Sequence, residues 1–151
     1  MRVNAKSFQA CNCLTVRQAA RHVTQFYDRF LALSGLRTTQ FSILARLQEQ
    51  GPMTINALAV NLVLERTTLG RNILPLERDG LIRIERAASD RRSKVIRITK
   101  RGERRLEDAF KRWVEAQARF ESAFGGGRAS DLRSLLGAVT ATELGGADTA
   151  F

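Results

Sequence analysis

Hydrophobic positions recur every three or four residues along most of the chain. Between residues 14 and 33 they fall at Val16, Ala19/Ala20, Val23, Phe26/Tyr27 and Phe30/Leu31, the spacing of one face of a long amphipathic helix that ends at Ser34-Gly35. A second helix follows Thr38-Thr39, with Phe41, Leu44 and Leu47 on one face, and stops at Gly51-Pro52. Thr54 is a good N-cap for a short third helix, Ile55 to about Asn61, that buries Leu58 and Ala59. A fourth runs from about Glu65 to Asp79 and ends at Gly80, a natural residue just past a helix C-terminus. Pro75 inside it is expected to bend it or cost it a hydrogen bond.

The period then changes. Leu81 to Arg86 and Lys94 to Thr99 alternate, with Ile82/Ile84 and Ile96/Ile98 on one face and charge on the other. The polar stretch Ala87-Ala88-Ser89-Asp90-Arg91-Arg92 between them makes this a β-hairpin. Thr99 can cap another long helix, with Leu106, Phe110, Trp113, Ala116/Gln117, Phe120 and Phe124 in near-heptad spacing. Gly125-Gly126-Gly127 is expected to break it before a short helix from Ser130 to Val139, which presents Leu132, Leu135/Leu136 and Val139. The fold class is therefore mainly α with a small β-hairpin wing. Two helices on a short connection, followed directly by a basic hairpin, read as a winged helix-turn-helix over residues 36–100. Residues 8–35 and 101–140 form a helical dimerisation part of the same 1–151 chain, and 141–151 is expected to be a disordered tail. A helix of twenty-odd residues spans about 30 Å, too long for one small winged-helix core to cover, so part of each long stripe should face a second copy.

Charge sharpens this picture. The 151 residues carry 25 Lys and Arg against 15 Asp and Glu, a net charge of +10. The excess is local: Arg83 to Arg105 holds ten cations and three acids, and Arg91 to Arg101 holds six cations and no acid. On a hairpin, where side chains project together from one small element, such a run suits a phosphate-facing surface. Other classes fall away. The apolar runs are far shorter than the ~20 residues of a membrane span, and no signal peptide is visible, so a cytoplasmic protein with no membrane contact is expected. One His (His22) and two Cys (Cys11, Cys13) are too few for an ordinary metal site, and the glycine run lacks the Lys-Ser/Thr of a phosphate loop. With no catalytic constellation, no cofactor and no enzyme activity are expected; His22 and Trp113 read as packing or rim residues.

The start of the fourth helix offers what a major-groove reader needs. Arg66 and Arg71 can bridge guanine O6 and N7, Asn72 can bridge adenine N6 and N7, and Thr67 and Thr68 can touch phosphate or a thymine methyl. Thr54, at the start of the third helix, joins them as a candidate DNA contact. Arg86, Arg91 and Lys94 of the hairpin are candidate phosphate contacts. A different class, a sequence-indifferent architectural or RNA-binding protein, would use the same basic surface. It would differ in showing little preference for one duplex over another at fixed salt.

Leu36-Arg-Thr-Thr-Gln-Phe-Ser-Ile-Leu44, Gly51-Pro-Met-Thr54 with Leu58-Ala59, and Leu76-Glu-Arg-Asp-Gly-Leu-Ile82 resemble the MarR family of bacterial transcriptional regulators. So do Ser89-Asp-Arg-Arg-Ser-Lys94 and Ile98-Thr99 with Gly102, and the match covers roughly residues 10 to 138. The resemblance implies an obligate triangular homodimer on pseudo-palindromic promoter DNA, more often a repressor, released by a small phenolic ligand, an oxidant or another signal. It also implies that Arg92 is a minor-groove arginine and Asp90 the carboxylate that braces it.

Cys13-Leu-Thr-Val-Arg-Gln-Ala-Ala-Arg21, followed by Val23-Thr24 and Tyr27, is similar to the first helix of the organic-hydroperoxide-sensing branch of that family. Cys13 falls on the reactive cysteine and Tyr27 on a tyrosine that hydrogen-bonds it, whereas Thr38 stands where that branch places a second tyrosine. The resemblance thus implies an alternative, a thiol-based organic peroxide sensor working through Cys13. Thr15-x-x-Gln18 could be a capping box, which would leave Cys13 outside the helix.

Overall fold

The computed structural model describes residues 10–90 and 92–144. The chain forms two compact units that divide within one long helix, after Glu115.

Unit 1 opens with α1, Asn12–Leu31. It begins two residues before the apolar stripe does, and the Thr15-Gln18 capping box does not form. Cys11 caps the helix instead: its Sγ accepts from the Leu14 amide at 3.4 Å, and the Thr15 hydroxyl donates to the Cys11 carbonyl at 3.0 Å. Cys13 therefore sits inside the first turn. A 3₁₀ turn, Ala32–Ser34, ends in Gly35 at φ +76°, the left-handed conformation that glycine adopts without strain. The chain then reverses into α2, Thr38–Gln50. Asp28 Oδ1 fastens the two helices by accepting from the Thr38 amide at 2.7 Å and its hydroxyl at 2.6 Å.

A two-residue strand that periodicity could not reveal, β1 (Met53–Thr54), precedes α3, Ile55–Asn61. Next come α4 (Arg66–Arg78), β2 (Ile82–Arg86) and β3 (Lys94–Ile98). The antiparallel sheet has the order β1-β3-β2, with Met53 opposite Ile96 and Ile84 opposite the same residue on the other side. Leu36, Ile43, Leu44 and Leu47 of the α2 region, Leu58, Leu69, Ile73 and Leu76 of the helix pair, and Ile82 and Ile96 of the sheet share one buried core. Pro75 lies inside α4 without ending it, and its missing N–H falls opposite the carbonyl of Arg71, an exposed residue where water can substitute.

The long helix α5, Lys100–Phe124, is anchored at its start. Thr99 acts as its cap: Oγ1 accepts from the Gly102 amide at 3.1 Å and donates to the Gly80 carbonyl at 2.6 Å, while the Thr99 amide donates to the Leu81 carbonyl at 3.0 Å. Gly102 packs so closely on that corner that a Cβ there would lie 2.1 Å from the Leu81 oxygen. The Thr99 and Gly102 pair is thus a clamp between α5 and the α4–β2 turn.

In unit 2, only Gly125 breaks the helix, at φ +97°. Gly126 and Gly127 already belong to α6, Gly126–Ala141, which starts four residues before the expected Ser130 and runs past Val139. The Arg128 guanidinium lies 4.4 Å from the centre of the Phe124 ring, and Arg133 pairs with Glu121 at 3.0 Å. Helix therefore reaches the first residue of the expected disordered tail, 141–151; of that tail, residues 145–151 lie outside the described residues.

Candidate nucleic-acid interface

The apolar face of α4 is committed to the core through Leu69, Ile73 and Leu76, and this fixes which side chains point away. Thr67 and Arg71 are exposed on the opposite side, with Leu74 and Arg78 further along, and Arg66 is exposed at the first position of the helix. Thr68 and Asn72 are half-buried at the edge of this face. The Asn72 amide nitrogen donates to the Thr68 carbonyl at 2.9 Å, so its outward reach is limited to what that bond leaves free. Thr54 is likewise occupied: its hydroxyl accepts from the Ala57 amide at 3.1 Å and caps α3.

The hairpin sorts its charges by position. On the outer face of the sheet, Arg83 stands opposite Arg97, and Glu85 answers both: it pairs with Arg83 and lies 3.3 Å from Arg97. Near the tip, Arg86 stands opposite Lys94 with no acid between them. Like charges directly opposite each other on a sheet are unfavourable. The protein relieves that repulsion with Glu85 at one level and leaves it standing at the tip, where an outside anion would relieve it. Among the described residues Arg86, Arg92 and Lys94 are exposed and make no ion pair, whereas Lys100 is paired with Glu103.

Asp90 has a different task here from the bracing of Arg92 that the resemblance implies. Its carboxylate does not hold the Arg92 guanidinium; Oδ1 accepts from the Arg92 backbone amide at 2.9 Å and Oδ2 from the Ser93 hydroxyl at 3.2 Å. A short polar carboxylate bonded to the amide two residues on is an Asx turn. Together with the Ser93 amide on the Asp90 carbonyl (3.0 Å) and the Ala87 amide on the Ser93 carbonyl (2.8 Å), it locks the wing backbone and leaves the Arg92 side chain exposed. The Arg91 position lies outside the described residues.

Cys13 and Tyr27 are both on α1, fourteen positions and thus about 21 Å apart along its axis, so one chain does not bring them together. Cys13 is exposed, and the Thr38 hydroxyl is spent on Asp28. His22 is exposed, while Trp113 stacks on Phe110 and Phe41 with ring centres 5.4 and 6.3 Å away. Beside this aromatic cluster, α2 and α5 enclose an open cavity of about 920 Å³, lined by Phe41, Ala45, Leu106, Phe110 and Trp113 together with the charged Glu49, Glu107 and Lys111. Among the described residues no group of three or more His, Cys, Asp or Glu could hold a metal ion, and no helix is long and apolar enough to cross a membrane.

Sequence reasoning did not single out Asp28, and it saw the Thr99 and Gly102 pair only as a motif. Capping chemistry at Thr99 was visible, but the closeness of the Leu81 carbonyl depends on tertiary placement.

A helix pair with one face in the core and the other exposed, followed by a locked β-hairpin, defines the class: a winged helix-turn-helix protein. The same fold occurs in CouR, a transcriptional repressor solved on a 23-mer DNA duplex, which is 23% identical with a TM-score of 0.80, covering 93% of this chain and 99% of that one. The M. tuberculosis transcriptional regulator MosR, solved in complex with DNA, is 40% identical with a TM-score of 0.74, covering 89% of this chain and 99% of MosR. The HTH-type transcriptional regulator YwoH of Bacillus subtilis (strain 168) is 32% identical over 93 residues, 62% of this chain and 67% of YwoH. Residues 36–94 match the model of the MarR family. The chain belongs to the MarR family of transcriptional regulators.

Proposed function

We propose that this protein is a homodimeric, sequence-specific DNA-binding regulator of transcription, acting without catalysis and, as a repressor, leaving its promoter when a signal binds. The observation that carries the reading is the α4 face: its apolar side is sunk in the core, Thr67 and Arg71 face outward and Arg66 is exposed at the helix start, next to a basic, backbone-locked wing. MosR, 40% identical, has been solved with DNA. In this reading α4 enters the major groove, where Arg66 and Arg71 read bases and Thr67 touches phosphate or a thymine methyl, while Thr68 and Asn72 stand at the helix margin. Thr54 positions α3 through its cap. Arg86, Arg91 and Lys94 meet phosphates, and Arg92 enters the minor groove.

The apolar residues left exposed support a second copy. Val16 on α1, Phe110 and Val114 on α5, and Leu135, Leu136 and Val139 on α6 are exposed, Leu135 by 67%. A two-fold dimer would cover them and set two recognition helices on half-sites about one helical turn apart. The cavity between α2 and α5 joins apolar and aromatic side chains with the charged Glu49, Glu107 and Lys111, which suits a small phenolic ligand, with a ring and a polar group, as the releasing signal. A second reading rests on Cys13, an accessible thiol in the first turn of α1. Attack of its thiolate on a hydroperoxide would give a sulfenic acid and the alcohol, placing a polar group at the dimer body. Support from Tyr27 would then come from the other copy.

The test is fluorescence anisotropy on a duplex that the protein itself selects from a randomised pool. Arg92→Ala should weaken binding and reduce its salt dependence, while Arg71→Ala should change which base pairs are preferred, each leaving the dimer intact. Parent-like binding by both would refute the groove assignment. A monomer by sedimentation at micromolar concentration would refute the dimer, and hydroperoxide-induced release that survives Cys13→Ser would refute the thiol reading.

A further inference from the structure

Glycine is the costliest ordinary residue in a helix interior, about 1 kcal/mol worse than alanine, so a glycine held there requires a reason. Gly70 lies in the middle of α4 at a negative φ, and a Cβ added to it would meet nothing within 4 Å. Neither backbone conformation nor packing inside the protein asks for glycine, unlike Gly102, where the Leu81 carbonyl leaves no room. The position is half-buried on the flank of α4, in the row Arg66, Gly70, Leu74, spaced four apart, which turns from the core side at Arg66 to the exposed side at Leu74 and runs beside Thr67 and Arg71. Leu74, one turn on, is 66% exposed. The row therefore presents a cation, a notch and an exposed apolar side chain in sequence.

We propose that Gly70 is a specificity-determining position: its missing side chain lets the α4 backbone come close to a base-pair edge, and the notch between Arg66 and Leu74 accepts a thymine methyl group. This rests on the reading of α4 as the major-groove helix. A methyl is the one apolar feature of the major groove, and the apolar Cα of glycine beside Leu74 matches it where a polar side chain would not. A Cβ at position 70 would stand the helix off by about the width of a methyl group and lengthen the neighbouring hydrogen bonds from Arg66 and Arg71.

The experiment uses the full chain, its Gly70→Ala variant, a duplex selected by the parent from a randomised pool, and a scrambled duplex of equal length, all at one salt concentration. Gly70→Ala should raise the melting temperature by about 2–4 °C, because helix propensity improves and nothing clashes. It should bind the selected duplex about tenfold more weakly and the scrambled duplex as well as the parent does. Selection repeated with Gly70→Ala should lose one thymine preference while keeping the guanines. Unchanged affinity for the selected duplex, with the same selected sequence, overturns the inference alone. A parent that selects no sequence overturns the α4 reading and this inference with it. A fall in melting temperature would show that glycine serves the fold, and would overturn it too.

Discussion

Replacing Gly102 by alanine is the sharpest test of how the winged helix is built. In an ordinary helix the change would stabilise by about 1 kcal/mol. Here the new Cβ would lie 2.1 Å from the Leu81 carbonyl oxygen, 2.8 Å from Ile98 Cγ1 and 3.0 Å from the Leu81 carbonyl carbon. The first of these is roughly 1.5 Å inside ordinary non-bonded separation, and its partner is backbone, so no rotamer change relieves it. The first turn of α5 has to move away. That movement stretches the Thr99 hydroxyl's bond to the Gly80 carbonyl (2.6 Å) and the Thr99 amide's bond to the Leu81 carbonyl (3.0 Å). Overpacking typically costs about 1–3 kcal/mol and each bond about 1 kcal/mol, so after the propensity gain the net loss is about 3 kcal/mol. For a chain of this length that corresponds to a melting temperature lower by about 6–12 °C, measured by calorimetry or circular dichroism. A melting temperature at or above the parent's would refute the clamp.

Four other substitutions probe separate parts of the molecule. Asp28→Ala removes the acceptor of both Thr38 bonds and should cost about 1–2 kcal/mol in a denaturant titration, with Asp28→Asn costing less. Val63 holds φ +51° while 73% exposed, a conformation that strains a β-branched residue, so Val63→Asn should raise stability by about 0.5–1 kcal/mol in the same titration. Asp90→Ala unlocks the wing turn; affinity for the selected duplex should fall about tenfold in anisotropy, with the melting temperature unchanged. The Gln117 amide, and then the Arg133 guanidinium, hold the Glu121 carboxyl below its ordinary 4.5. Its stabilisation is therefore complete above that value and fades as pH falls through the depressed one, so Glu121→Gln should flatten the stability–pH curve below pH 4.5.

Periodicity carried most of the fold because most elements bury one clean stripe. The α2, α3 and α4 faces and the Ile82/Ile84 against Ile96/Ile98 hairpin follow from spacing alone. Where it failed, the deciding interaction was local chemistry or long-range placement. Cysteine is a weak N-cap and gives no sequence signal, so periodicity alone starts α1 two residues late. A run of three glycines looks like a broken segment, yet a single positive φ at Gly125 suffices to turn the chain. β1 is two residues long and exists only because β3 passes beside it. At the candidate interface, residue types marked Arg66, Arg71 and Arg92, but the role of Asp90 needed the backbone: a carboxylate among cations suggests an ion pair, while geometry gives it to two donors of its own turn. Gly70 was invisible, because the significance of an absent side chain lies in the empty space around it.

The clamp at Thr99 and Gly102 also has a mechanical meaning. The hydrogen bonds from Thr99 to the Gly80 and Leu81 carbonyls and a contact with no room for a methyl group leave no slack between the start of α5 and the corner that joins α4 to β2. A torque on the first turns of α5 is then delivered undamped to the end of α4 and the root of the wing, which swing through the same arc. Compliance has to reside elsewhere, in the bending of α5 itself or in the turn before α4. A helix bends stiffly, so a small angular displacement imposed on α5 becomes a large sweep at the wing tip, the end of the lever.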